Sequence, residues 1–149
     1  MNYILSKDWD DGQREESRRA LRVYRELLRD SGHPYSRLFD KHFDYALQNI
    51  DAGAIEGVLV GQYIVLFSVA PSWLSPEPAF VELMLLRLDW REPSDFDDVI
   101  TCVETIAASR GCGCVLLGNA SLRPGLLRKY RQRDYTQSNM ELIKEIPNG

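Results

Sequence analysis

The stretch Phe80-Val81-Glu82-Leu83-Met84-Leu85-Leu86-Arg87-Leu88, followed by the acidic turn Asp89 to Asp97 and the helical run Asp98 to Arg110, decides how the chain folds. Its first part is apolar and strand-like. Its last part repeats apolar residues at three- and four-residue steps, as a helix lying on a sheet must. Gly111 closes that helix, and Cys114-Val115-Leu116-Leu117 reads as a second strand before Gly118. A strand, a crossover helix and another strand make a parallel pair, which needs a crossover of this length.

Working outward, the residues before this unit divide cleanly. Tyr3 to Ser6 is a short first strand. From Asp11, Ala20, Leu21, Tyr24, Leu27 and Leu28 form a helical stripe that Gly32 and Pro34 end. Glu15 and Arg19 stand at a favourable four-residue spacing, and Arg18, Arg22, Arg25 and Arg29 are expected on a solvated face. Tyr35 to Ile50 reads as one helix whose buried stripe is Leu38 or Phe39, then Phe43, Ala46, Leu47 and Ile50. Ile55 to Val60 and Tyr63 to Val69 are strands joined by Gly61-Gln62, where a glycine at the first loop position suits a type II′ hairpin. Ala70 to Pro78 is a loop, with Trp73 expected to fold back over a sheet edge. Beyond Gly118 a turn leads to a helix over Gly125 to Arg133, opened by Pro124, and Met140 to Ile146 is a last strand. The order β, α, α, β, β, β, α, β, α, β predicts a mixed α/β domain over residues 1–149, with a mostly antiparallel sheet flanked by helices.

Composition narrows the function classes. Among 149 residues, 44% are apolar and 27% charged, with a net charge of −4, so a general nucleic-acid binder is not expected. The one basic cluster is Arg123, Arg128, Lys129, Arg131 and Arg133. The apolar run Tyr63 to Ala70 is too short to span a bilayer, and the first ten residues lack the pattern of a signal peptide. Three cysteines, Cys102, Cys112 and Cys114, fit a reducing compartment such as the cytoplasm, with Cys112 and Cys114 expected on one strand face. No metal is expected, because the two histidines, His33 and His42, lie in another region.

Ala107-Ala108-Ser109-Arg110-Gly111 before an apolar strand, and Tyr130-Arg131-Gln132-Arg133-Asp134-Tyr135 near the end, carry a family likeness. Together with the element order they resemble the GNAT (Gcn5-related N-acetyltransferase) fold, in which these fragments read Ala-x-x-x-Gly and Tyr-x-x-x-Gly-Phe. The resemblance implies acetyl transfer from acetyl-CoA to an amine, with Tyr130 as general acid and Glu82 as base. It also implies that Leu86, Leu88 and Asn119 hold the pantetheine arm and that Arg91 meets the pyrophosphate.

This sequence departs from the pattern at the turn. An ungapped count from Gly111 places the family's glycine-rich phosphate loop on Arg91-Glu92-Pro93-Ser94-Asp95-Phe96, where no glycine stands. Pro93 removes an amide donor. Glu92 and Asp95 put carboxylates where phosphates would sit, at about 3 kcal/mol per like-charge pair for about 5 Å and an effective dielectric of about 20. The same acids suit a helix start, with Ser94 or Asp95 as cap. The expectation is therefore an eroded site with no cofactor, in a protein acting as a structural or protein-interaction component. Small bacteriophage-encoded and virion-associated proteins of this fold are similar in size and degeneration. The alternatives are a divergent acetyltransferase that binds acetyl-CoA, with Tyr130 and Glu82 active, and a regulator that binds a host protein through the acidic turn.

Overall fold

In the computed structural model, residues 2–118, 124–136 and 143–147 are described. The elements are β1 (Tyr3–Leu5), α1 (Asp11–Asp30), α2 (Ser36–Lys41), α3 (Phe43–Asp51), β2 (Glu56–Val60), β3 (Tyr63–Ala70), β4 (Ala79–Arg87), α4 (Phe96–Ser109), β5 (Cys114–Leu116) and α5 (Pro124–Gln132). The five strands lie in sequence order in one sheet. The first four pair antiparallel, and β4 pairs with β5 in parallel across α4. This is the expected mixed α/β architecture.

Alternation along the strands fills both sides of the sheet. Val58, Val60, Tyr63, Val65 and Phe67 point to the side covered by α4, where Val99, Ile100, Val103 and Ile106 meet them. Leu59, Ile64 and Leu66 point to the other side, against Leu21, Tyr24 and Leu28 of α1 and Phe43 of α3. A sheet covered on both faces needs apolar residues at successive positions, which is why β2 and β3 read as continuous runs.

β4 changes phase partway. Phe67 pairs with Glu82 and Leu66 with Met84, so Leu83 is an extra residue without a partner on β3. Such a bulge bends a strand and shifts the alternation after it. Phe80 and Leu85 therefore both face α4, while Leu86 and Leu88 face α1.

Several local expectations needed correction. Tyr35 to Ile50 is two helices, broken at His42, whose backbone (φ −118°, ψ 28°) leaves the helical region. The crossover helix starts two residues earlier than expected, at Phe96, because Asp95 caps it. Trp73 does not fold back but stands 92% exposed. Arg18, Arg22, Arg25 and Arg29 do not form a merely solvated face: they pair with Asp51, Glu15 and Asp40. Arg19 lies over the Trp90 ring at 3.9 Å, while Glu15 pairs instead with Arg18 and Arg22. Met140 to Leu142 of the expected last strand lie outside the described residues. Ile143 to Pro147 form no strand, and Glu145 there meets Arg37 and Lys41 of α2.

The hairpin loop follows its sequence signal. Gly61 has φ +56°, the left-handed region a first loop residue needs. Gly57 is required for a different reason: a Cβ there would come within 2.7 Å of the Trp9 ring.

Candidate functional site

Among the described residues, β5 pairs only with Ala79 to Val81 of β4. Past that point β4 continues to Arg87 with no strand on its outer side among the described residues, and the bulge at Leu83 bends it there. The Leu88 amide donates to the Gln62 carbonyl at 2.7 Å, toward β3. Two-residue alternation turns the backbone groups of Leu86 the same way and those of Leu85 and Arg87 toward the open edge. The side chains of Leu86 and Leu88 are buried beneath α1.

The splay begins at Glu82, and here the structure joins two residues singled out from the sequence. Glu82 is only 6% exposed and Tyr130 of α5 only 4%. The Glu82 carboxylate lies near enough to act on the Tyr130 phenol electrostatically. Burial raises the Tyr130 pKa well above the usual phenol range, and the Glu82 carboxylate and Tyr135 raise it further. Tyr135 sits beside it, ring centroids 5.6 Å apart, and donates to Glu104 at 3.3 Å. Burial, then Glu104, raises the Tyr135 phenol as well. Arg133 bonds Glu104 at 2.8 Å and closes this group.

Phe96, the first residue of α4, is buried. Its ring meets Tyr63 edge-on at 5.3 Å and Tyr130 edge-on at 5.5 Å. Trp90, by contrast, turns to the α1 side and donates its indole N–H to Glu16 at 2.9 Å.

The turn between β4 and α4 is held by its own chain. The Arg91 fork donates through Nε and Nη2 to the two Glu16 carboxylate oxygens at 2.7 and 2.6 Å, and through Nη1 to the Gly61 carbonyl at 3.2 Å. The bonds from Arg91, opposed by partial burial and joined by the Trp90 bond, hold the Glu16 carboxyl below the usual glutamate range. Ser94 and Gln62 bond reciprocally: the Gln62 amide donates to Ser94 Oγ at 3.0 Å and the Ser94 amide to Gln62 Oε1 at 3.3 Å. Asp95 accepts from the Asp97 amide at 3.0 Å and caps α4. Glu92 and Pro93 are exposed. Neither Glu16 nor Gln62 was evident from the sequence as part of this turn. Glu16 lies 75 residues from Arg91, and an acid in the second turn of an arginine-rich helix gives no sign of its partner.

The basic cluster divides. Lys129 reaches Asp97 at 3.5 Å and Arg133 is taken by Glu104, whereas Arg128 and Arg131 are exposed. Arg123 and Asn119 lie outside the described residues. Cys102 is buried, while Cys114 is exposed at the start of β5. Cys112 precedes a bend at Gly113 and packs with the α4-side core, so the two thiols do not share a strand face. Among the described residues, no three His, Cys, Asp or Glu side chains are grouped to hold a metal, and no helix is long and apolar enough to cross a membrane.

No protein-family model matches the chain, and no curated protein matches it in sequence. Solved structures do. A ribosomal-protein-alanine N-acetyltransferase from Brucella melitensis is similar with a TM-score of 0.68 at 14% identity, over 98% of this chain and 100% of that one. A transcriptional regulator from Bacillus halodurans gives 0.67 at 15% identity, over 97% and 100%. A GNAT family acetyltransferase from Staphylococcus aureus gives 0.56 at 11% identity, over 98% and 100%. The fold is therefore that of the GNAT acetyltransferases. At such identities the likeness concerns architecture, and activity has to be argued from the site.

Proposed function

We propose that this chain is a GNAT-fold protein whose acetyl-CoA site is closed by its own side chains, and that it works as a structural or interaction component rather than by acyl transfer. The observation that carries this reading is the pairing of Arg91 with Glu16. The one cation of the turn that could meet a pyrophosphate already holds a bidentate carboxylate, the strongest arrangement an arginine makes. Asp95 adds to this by placing a negative charge on the α4 N-terminus, where a phosphate would otherwise be attracted. Phe96 packs against Tyr130, the residue the resemblance makes the general acid.

A protein-contact role is supported by the loop between β3 and β4. Trp73 and Leu74 are 92% and 72% exposed, and large exposed aromatic and aliphatic side chains are the usual anchors of protein interfaces. The likeness in size and missing glycines to small bacteriophage-encoded proteins of this fold suggests a virion as one such setting. Thermal denaturation with and without excess acetyl-CoA tests the reading. An unchanged midpoint is expected, and a saturable rise would refute it.

The closeness of buried Glu82 to buried Tyr130 favours a second reading, a divergent acetyl-CoA-dependent N-acetyltransferase. A phenol whose pKa is raised stays protonated and suits a general acid to a leaving thiolate, and Glu82 is the neighbouring carboxylate. Acetyl transfer to a broad amine panel, lost in Tyr130→Phe, would establish it in place of the first.

A further inference from the structure

We infer that Arg91, the Trp90 indole and Arg19 form an oxyanion site whose occupant is the chain's own Glu16, an autoinhibitory contact built into α1. The inference rests on the proposed function and specifies how the turn is closed.

The donors converge as they would on a bound anion. Arg91 gives two parallel N–H bonds to the two Glu16 oxygens, and Trp90 Nε1 gives a third, to Oε2. Arg19, one helical turn from Trp90's partner on α1, stacks over the indole at 3.9 Å and adds its positive charge to the same carboxylate. A guanidinium fork, an indole donor and a second guanidinium are a recognition set for a planar or tetrahedral oxyanion.

The set is also held in place without Glu16. Arg91 keeps its bond to the Gly61 carbonyl, and the turn keeps the two Ser94–Gln62 bonds. Removing the Glu16 carboxylate would leave the Arg91 fork and the Trp90 N–H without their acceptor, with the Arg19 guanidinium close by over the indole. The mutual repulsion of the two guanidinium groups would then favour uptake of an external anion. Glu92, the nearest acid in sequence, is exposed, and the Arg91 fork is taken by Glu16.

The test uses the whole chain and inorganic phosphate as probe, in buffers matched for ionic strength with chloride. Calorimetric and thermal-shift titrations are run on wild type, Glu16→Ala, Glu16→Gln and the double variant Glu16→Ala/Arg91→Ala. Glu16→Ala is expected to bind phosphate at least about tenfold more tightly than wild type, and the double variant to lose that gain. Glu16→Gln keeps the packing and is expected to show a smaller gain, so the question stays answerable if the alanine variant does not fold. Equal phosphate response in wild type and both Glu16 variants, or a gain that survives removal of Arg91, overturns the inference. Acetyl-CoA binding to wild type would instead overturn the proposed function, so the two failures are distinct.

Discussion

The Asp95 carboxylate accepts a hydrogen bond from the Asp97 amide at 3.0 Å, so a donor at the start of α4 is answered from within the chain. Asp97 and Asp98 follow in the first turn. Their charges complement the helix dipole and need no ligand. Asp95→Ala is expected to cost about 1 kcal/mol of stability, and Asp95→Asn much less, because asparagine caps equally well. Urea denaturation of the two variants measures this difference.

Tyr130 and Glu82 are neighbouring groups, and both are buried. Tyr130→Phe keeps the ring contacts with Phe96 and Tyr135 but takes the hydroxyl from a carboxylate that is almost fully buried. The expected loss is at most about 1 kcal/mol, the net worth of one polar contact. A loss of several kcal/mol would mean that the Tyr130 hydroxyl carries more of the fold than this contact explains.

Phe96→Ala removes a ring packed between Tyr63 and Tyr130, and a loss of about 3–5 kcal/mol is expected from lost burial and the cavity left behind. If Phe96 alone excludes the cofactor, the variant gains acetyl-CoA binding. The account expects no gain, because Arg91 remains paired and Asp95 remains in place.

The Glu16–Arg91 pair should respond to acid in one direction. The folded pKa of Glu16 is depressed, chiefly by the Arg91 bonds. Its contribution is therefore complete above the ordinary glutamate range and is lost as pH falls through the lowered folded value. Glu16→Gln should lose at most about 1 kcal/mol at neutral pH, since the pair is partly exposed. The gap between wild type and variant in urea should shrink as pH falls through the lowered folded value of Glu16, where wild type also protonates. A gap that widens in acid would show that the pair is not the cause.

The thiols should react in a fixed order. Burial pushes the Cys102 thiol up to about 12, so at neutral pH it is wholly protonated and shielded. Burial, then the neighbouring Cys114, also raises Cys112. A maleimide should label exposed Cys114 first and Cys102 only in denaturant, as mass spectrometry of digests would show.

The fold was legible in the sequence where a local pattern fixes the outcome. Alternation and glycine punctuation placed β2, β3 and the hairpin, and the Phe80 to Gly118 unit gave the parallel pair. The break at His42 was hidden because the apolar spacing continues from Phe39 through Phe43, which pack edge-on across it at 5.5 Å. Trp73 was misplaced because sequence cannot tell whether a proline-rich loop turns inward. At the site, Tyr130 and Glu82 were named separately, and the fold supplied their contact. The partner of Arg91 was beyond reach, since Glu16 belongs to a helix joined to that turn only by tertiary packing. The acidic character of the turn, by contrast, was visible at once, because charge can be read without a fold.

The central claim is that the turn rejects a polyanion because Glu16 and Asp95 already fill the places its charges would take. Calorimetric titration of the wild-type chain with acetyl-CoA tests this most directly. The account predicts no saturable heat up to millimolar ligand, on the order of −4 kcal/mol or weaker. A saturable isotherm with a micromolar Kd would contradict it.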